Sequence, residues 1–458
     1  MLEVKNLKLK YENKVVFNDF DLEVNNGEII VITGDSGSGK SSFLKILNGI
    51  IPEFDDAKIE GEITFDNKDL LSQSMSERSK YISTVFQNPK TQFYCINTTD
   101  EIAFGLENRN VESSEIKKTI KEYSTKLHVE KLMYRDIFKL SGGEKQFIAI
   151  TACACLDNDI YLFDEPSSSL DEKSIIWLKK TILKLKQLGK IVIIAEHRMH
   201  FLKDIFDKLV LIEQGSAKVY PREEIEKIYY DEFSKKHNLR SFFKTDLKKV
   251  EYVCTLDAMD HIFGDSILGK NYVINYGDKK VCDFTLSLPK GVTFITGENG
   301  IGKSSVIKNM AGLLKNKAQT YYENKKITKS YKYISFVMQD VNYQIFTDSV
   351  WSEISIVSDD EDKKNKVLKE LGLYSKKDFH PQILSGGEKQ RLMIAQARVS
   401  DKPIVIFDEP TSGLDKKQML KIAEYLKEMT AEGKTIIVIT HDYELINYCE
   451  GRTIKFIK

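Results

Sequence analysis

Two stretches of the chain repeat one eight-residue pattern, GDSGSGKS at 34–41 and GENGIGKS at 297–304, each after an apolar strand-like run (28–33 and 292–296). Such a pattern is built for phosphate. Gly34, Gly37 and Gly39, and likewise Gly297, Gly300 and Gly302, permit curvature tight enough for amide N–H groups to converge on phosphate oxygens at the start of a helix. Lys40 and Lys303 then meet the β- and γ-phosphates, and the hydroxyls of Ser41 and Ser304 are placed for Mg²⁺.

Carboxylates follow. YLFDEP (161–166) and VIFDEP (405–410) each end an apolar run with an adjacent Asp-Glu pair. An acid at the end of a buried strand is costly unless paired or part of a site. Asp164 and Asp408 suit a Mg²⁺ shell, and Glu165 and Glu409 suit orienting and polarising an attacking water. His197 and His441 end a further apolar run 33 residues on, where they would hold the γ-phosphate and the water in line. An Asp-Glu-Pro turn or a strand-end histidine is by itself usually structural. Here Ser141, Asp164 and His197 recur as Ser385, Asp408 and His441, each displaced by 244 positions. His200 has no counterpart and reads as a surface residue.

The elements that must carry these groups repeat as well. Tyr11 matches Tyr276, and Gln87 matches Gln339. From first loop glycine to glutamine takes 53 residues in one half and 42 in the other; from glutamine to the serine of LSGGE (140–144 and 384–388) takes 54 and 46. Length varies only before that serine, where surface insertions are cheap. β-branched runs alternate with amphipathic stretches such as Ile175, Leu178, Ile182 and Leu185, with Lys179, Lys180, Lys184 and Lys186 mostly off the stripe. Strand–helix alternation predicts an α/β fold with a mostly parallel sheet in each half. The expected division is a first domain at 1–222, a charged connector at 223–264 and a second domain at 265–458. Residues 223–250 hold seven Lys/Arg and six Asp/Glu, a balanced segment that is compatible with helix and is not a nucleic-acid arm.

Composition sets the remaining bounds. At 458 residues each half can bury its own core. Lys+Arg and Asp+Glu both total 68, so no net field draws the chain to nucleic acid. No apolar run approaches the roughly 18–20 residues of a membrane span, and the first residues lack the pattern of a signal peptide, so a cytoplasmic address is expected. The six cysteines show no pairing pattern, and Cys153 and Cys155 read as buried free thiols.

The order of motifs, with LSGGEKQ between the glutamine and the acidic strand, resembles the ATP-binding cassette (ABC) family over nearly the whole chain outside the connector. The resemblance implies two tandem P-loop NTPase domains, each a RecA-like parallel core with an antiparallel β subdomain and a helical signature subdomain. It implies ATP and Mg²⁺ as ligands, adds Ser42 and Ser305 to the nucleotide set, and adds Gln87 and Gln339 to the metal shell. It further implies that the halves pair head-to-tail within the chain, so that no homodimer is required. Lys40, Asp164, Glu165 and His197 would be completed by Ser385 and Gly387, and Lys303, Asp408, Glu409 and His441 by Ser141 and Gly143. Tyr11 and Tyr276 match the aromatic that stacks on adenine.

The segments after the glutamines, VFQNPKTQ (85–92) with TTDEIAFGLEN (98–108) and VMQDVNYQIF (337–346), are similar to energy-coupling-factor (ECF) transporter ATPases, which drive vitamin and metal-ion uptake. That likeness implies an integral membrane scaffold and a substrate-binding membrane subunit as partners, at the cytoplasmic face of the membrane. Asp100, Glu101, Asp348 and Glu353 are candidates to receive arginines of the scaffold; ordinary acids at helix starts are the competing reading. Two other assignments compete: a duplicated sugar-importer ATPase, commonly with one degraded site, and a soluble translation factor on the ribosome, with a basic connector and without the late histidines. The family's arginine after LSGGEKQ is Arg391 in the second half but Phe147 in the first. Glu196-His197-Arg198 stands where Thr-His441-Asp442 is typical, and Ser-Ser-Ser-Leu-Asp171 stands against Thr-Ser-Gly-Leu-Asp415. None of these removes a catalytic group, so two competent sites of unequal rate are expected.

Overall fold

In the computed structural model the described residues are all but 12–13, 169, 256–259, 277–278, 315–316 and 458, with the side chains of 14, 275, 276, 279 and 282 also outside the description. Two compact units divide the chain at Lys244/Thr245.

In the first unit a six-stranded sheet runs in the order Ser216–Pro221, Lys208–Glu213, Ile29–Gly34, Ile191–Ala195, Ile160–Asp164, Ile82–Val85, parallel except at the Ser216–Pro221 hairpin edge. Its central strands are buried on both faces, and alternation sorts their side chains into two cores. Ile30, Ile32, Leu162 and Ile193 face an antiparallel layer and the helix Lys40–Asn48. Val31, Tyr161, Phe163 and Ile194 face the helix Glu172–Gln187, through Ile175, Leu178, Ile182 and Leu185. The antiparallel layer holds Lys14–Val24, Leu2–Tyr11, Lys58–Phe65 and Lys68–Asp69. A third, helical layer (Thr98–Asn108, Ser113–Lys126 and Gly142–Cys155) has its own core around Ile102, Leu106, Ile120 and Ile148.

The second unit repeats this plan with Val292–Thr296, Thr435–Ile439, Ile404–Asp408 and Ile334–Val337, and with Arg452–Ile457 beside Val292–Thr296. Its edge differs. Where the first unit adds an antiparallel hairpin, the second adds Tyr252–Thr255, parallel to Arg452–Ile457 and taken from the chain that precedes the domain's own motifs. Asp260–Ile262 likewise joins the antiparallel layer, parallel to Lys279–Leu288.

The segment 223–244 is folded. Helices Arg222–Ile228 and Tyr230–Lys236 sink Ile225, Tyr230 and Phe233, followed by Leu239 and Phe242, into the core that holds Met199, Phe201, Leu202 and Phe206. No helix of the described residues is long and apolar enough to cross a membrane. Cys153 and Cys155 are free and buried, and burial pushes both thiols up to about 12, which leaves them unreactive.

Candidate functional site

Each strand Ile29–Gly34 and Val292–Thr296 feeds a glycine loop whose backbone only glycine adopts comfortably. Gly34 and Gly297 stand at φ 145° and 144°, and Gly39 and Gly302 at 111° and 96°. At Gly34 a Cβ would collide with the Ile212 carbonyl, and at Gly297 it would come within 2.6 Å of that of Phe456. The loops open the helices Lys40–Asn48 and Lys303–Met310, and the N-cap glycines, Gly39 and Gly302, offer no side-chain oxygen to the first-turn N–H groups. These are the donors a phosphate requires.

Lys40 and Lys303 are buried yet keep their ammonium groups over the loop. Lys40 Nζ donates to the carbonyls of Gly34 (3.1 Å) and Asp35 (3.0 Å). Lys303 Nζ donates to Gly297 (2.6 Å) and Glu298 (2.9 Å) and lies 3.2 Å from His441 Nε2. Ser41 Oγ donates to Asp164 Oδ1 at 2.8 Å, joining the hydroxyl and carboxylate that spacing alone assigned to one metal shell. Ser304 is exposed at the corresponding place. Burial raises the Asp164 carboxyl against the opposing pull of Ser41 and Lys40, and burial likewise raises Asp408 against Lys303. A hard oxygen pair with an under-compensated carboxylate fits Mg²⁺, which binds through one or two protein oxygens and takes its other ligands from phosphate and water. Ser41 with Asp164, and Ser304 with Asp408, would hold it. When bound it neutralises charge on the phosphates.

The glutamates stand beside these groups with left-handed backbones, φ 45° at Glu165 and 50° at Glu409. Two non-glycine residues in this region at equivalent places mark strain kept at a site. The amide N–H of each is tied to the neighbouring strand, at Ala195 O and Ile439 O, both 2.8 Å. Gln87 Nε2 donates to Glu165 Oε2 at 2.6 Å, and His197 Nε2 lies 3.6 Å from Glu165 Oε1. His441 Nε2 lies 3.7 Å from Glu409 Oε1 and 3.1 Å from Asn299 Oδ1. Gln339 is exposed. In each half the strand-end acids, the histidine and the loop lysine meet at one end of the parallel sheet. The cluster is suited to hold a triphosphate by its loop and to present a carboxylate and an imidazole to a water at its far end.

Burial first, then the charges of Lys40 and Arg240, hold the His197 imidazole well below its ordinary range, so it is neutral. Glu196, which sequence reasoning set aside as a departure, is buried. Its Oε1 accepts from the backbone N–H of His197 (2.8 Å) and Arg198 (3.0 Å), and its Oε2 from that of Ser167 (3.3 Å). In the second half Asp442 instead accepts from Thr411 Oγ1 (2.7 Å) and caps the helix Tyr443–Cys449. The supporting carboxylate has moved by two positions and still anchors the histidine turn. Asn299 and Glu196 carried no motif signal; only their neighbours identify them. His200 is half-buried, with its ring 5.9 Å from that of Phe201.

Ser141 and Ser385 are the N-caps of Gly142–Cys155 and Gly386–Val399, each in a reciprocal capping box with Glu144 or Glu388. The exposed hydroxyls and the amides of Gly142, Gly143, Gly386 and Gly387 form a second helix-start donor set in each unit. Ser42 and Ser305 sit in the first turn of the loop helices. Tyr11 ends the strand Leu2–Tyr11, half-buried against the antiparallel core; the side chain of Tyr276 lies outside the described residues.

Two of the acids expected to receive a partner's arginines are corrected. Glu101 Oε2 accepts from the backbone N–H of Tyr94 (2.9 Å) and Cys95 (2.8 Å). Glu353 Oε2 accepts from Phe346 (3.1 Å) and Thr347 (2.9 Å). Both are buried and spend their charge shaping the turn after the glutamine. Asp100 and Asp348 remain exposed.

Known proteins match this arrangement. The family described as ABC transporter matches residues 17–168 and again 281–412. A protein of Treponema denticola that carries the name of an ABC transporter ATP-binding protein is 36% identical over 460 residues, 97% of this chain and 93% of its own. One of Clostridium perfringens is 32% identical over 496 residues, 97% and 87%. Among solved structures the RNase-L inhibitor is 22% identical with TM-score 0.60, over 96% of this chain and 86% of its own. A chain from a model of ribosome-bound archaeal Pelota and ABCE1 is 23% identical with TM-score 0.66, over 96% and 74%. At those identities the structures share the fold. The chain belongs to the ABC transporter family. It is a tandem ABC ATPase whose substrate is ATP, with Mg²⁺ as the usual partner ion.

Proposed function

We propose that this ATPase is the energy-coupling subunit of an ECF-type membrane importer and works at the cytoplasmic face of the membrane. In this reading it has two composite ATP sites. Lys40, Asp164, Glu165 and His197 work with Ser385 and Gly387, and Lys303, Asp408, Glu409 and His441 with Ser141 and Gly143. In each, the loop lysine and amides hold the triphosphate, the glutamate orients water, the histidine donates one hydrogen bond to a γ-phosphate oxygen, and the signature serine supplies a further donor.

One observation carries the membrane assignment. On the turn that follows each glutamine, and on the segment that lies along it, large apolar side chains are exposed: Tyr94, Tyr134 and Phe138 at 78%, 81% and 76%, and Phe346 and Ile383 at 80% and 68%. Tyr94 and Phe346 occupy equivalent positions, and both turns are held by a buried glutamate. Exposed apolar surface recurring at one place in both units is what a partner's apolar helix would cover. Relatives named as ABC transporter ATP-binding proteins over nearly their full length support the same reading.

A tagged pull-down from detergent-solubilised native membranes, with mass spectrometry, tests it. Small, very hydrophobic proteins are expected to co-purify. Ribosomal proteins without a membrane partner would overturn it in favour of a translation factor.

A further inference from the structure

The first half lacks the arginine that follows LSGGEKQ in the second, and the structure shows what took over. Phe147, on the signature helix Gly142–Cys155, lies against Trp177 of Glu172–Gln187, ring centroids 3.9 Å apart. Trp177 Nε1 donates to the Leu127 carbonyl at 2.5 Å, at the C-terminal end of Ser113–Lys126. Phe147 and Trp177 pack against both the core under the parallel sheet and that of the helical layer. In the second half Arg391 Nε donates to the Leu371 carbonyl at 3.1 Å. Leu371 is Leu127 displaced by the same 244 positions, so one orphan helix-end carbonyl is satisfied by two unlike donors.

The donors stand on different elements. Arg391 belongs to the signature helix, and its Nη2 lies 3.9 Å from Glu388, the capping-box partner of Ser385. Trp177 belongs to the helix that follows the acidic strand. The equivalent of Trp177 is the exposed Lys421, and the aromatic of that helix sits one turn later at the buried Tyr425, whose hydroxyl is 3.5 Å from the Glu370 carbonyl. Ser174 and Trp177 lie on one helix face. A Cβ on Gly143 would meet Ser174 Oγ at 3.3 Å, and one turn on Phe147 meets Trp177. The helix therefore grips the signature helix at two successive turns.

We infer that Trp177 is a positioning residue of the first half, clamping the helical layer, and with it the Ser141–Gly143 turn, to the helix Glu172–Gln187; Arg391 with Tyr425 performs this in the second half. The clamp acts through Ser141, so the inference rests on the reading of Ser141 and Gly143 as groups that complete a nucleotide site.

Steady-state hydrolysis by the full chain tests it, with circular dichroism and thermal unfolding to confirm folding. Trp177→Ala is expected to lower kcat on the order of tenfold with KM for ATP within about twofold, because the phosphate loops at 34–41 and 297–304 are untouched. Trp177→Phe keeps a ring without the N–H donor and should lose about threefold. Phe147→Arg, Trp177→Lys and Thr181→Tyr together transplant the second half's arrangement and should recover most of the loss. Ser141→Ala is measured in parallel. A folded Trp177→Phe and Trp177→Ala pair at wild-type kcat, with Ser141→Ala slow, overturns the clamp alone. Wild-type rates in Ser141→Ala overturn the site reading and the clamp with it. A folded triple variant as slow as Trp177→Ala overturns the equivalence of the two arrangements.

Discussion

Asp164 and Asp408 carry charge where water is scarce. Burial raises both carboxyls, so the ionised form lowers the stability of the nucleotide-free protein at neutral pH. Asp164→Asn and Asp408→Asn are expected to raise Tm by a few degrees and to abolish most Mg²⁺-dependent hydrolysis, a trade seen where sites are kept at a cost to stability. Calorimetry and a phosphate-release assay check both parts. His197 works in the opposite pH direction. Its folded-state imidazole resists protonation, while the unfolded one takes a proton near pH 6.5. The unfolded chain then binds more protons as pH falls, so stability is lost below about pH 6.5 with a limiting slope near 1.4 kcal/mol per pH unit. In His197→Asn the fall of Tm between about pH 6.5 and 5 should be shallower than in wild type. The identities of these groups were legible in the sequence because their chemistry is fixed by residue type and interval. The left-handed backbones at Glu165 and Glu409, the tie of Glu196 to Ser167 and the contact of Asn299 with His441 were not, because they arise from neighbours distant in the chain.

At the scale of elements, one residue can serve a helix and a ligand together. Ser141 and Ser385 cap their helices, and replacing either with alanine should cost about 1 kcal/mol in urea denaturation. If capping were their whole role, hydrolysis would follow stability; a rate loss greater than tenfold at a temperature well below Tm is expected instead. The helices at 222–236 carry a different lesson. Their composition is charged and balanced, and only the fold shows that Ile225, Tyr230 and Phe233 lie on one buried side. Phe233→Ala should destabilise the first unit by about 3–5 kcal/mol, read from chemical denaturation, as for any large aromatic removed from a core. The acids at the helix starts divide for a similar reason. Asp100 and Asp348 face solvent, whereas Glu101 and Glu353 point back at the turns that precede them, a distinction periodicity does not carry.

For the whole molecule, duplication with divergence predicts unequal partners. Gln87 reaches Glu165 while Gln339 is exposed, and Glu196 replaces the Thr440 hydroxyl that donates to Glu409 Oε2 at 3.2 Å. Glu165→Gln and Glu409→Gln should each lower kcat, with residual rates that differ from one another. The double variant should fall about a hundredfold or more, as expected for removal of a water-orienting base. Equal residual rates in the two single variants would count against unequal sites.

The sequence by itself determined the family, the α/β class and the duplication, and it singled out the candidate residues for chemistry. Phosphate binding, metal coordination and water activation each demand particular atoms, and from the signature serine onward a constant displacement of 244 keeps the acids and the histidine in step. Tertiary structure alone decided what surrounds them. The parallel edge strand Tyr252–Thr255, the packed helices after 222, the bond from Ser167 to Glu196 and the exchange of Arg391 for Phe147 with Trp177 all depend on contacts between residues far apart in the chain. A carbonyl such as that of Leu127 needs a donor, and any donor that reaches it will do. Chemistry constrains residue type, whereas packing and hydrogen-bond satisfaction constrain only the sum of what is nearby, and so can be met by unlike residues from unlike elements.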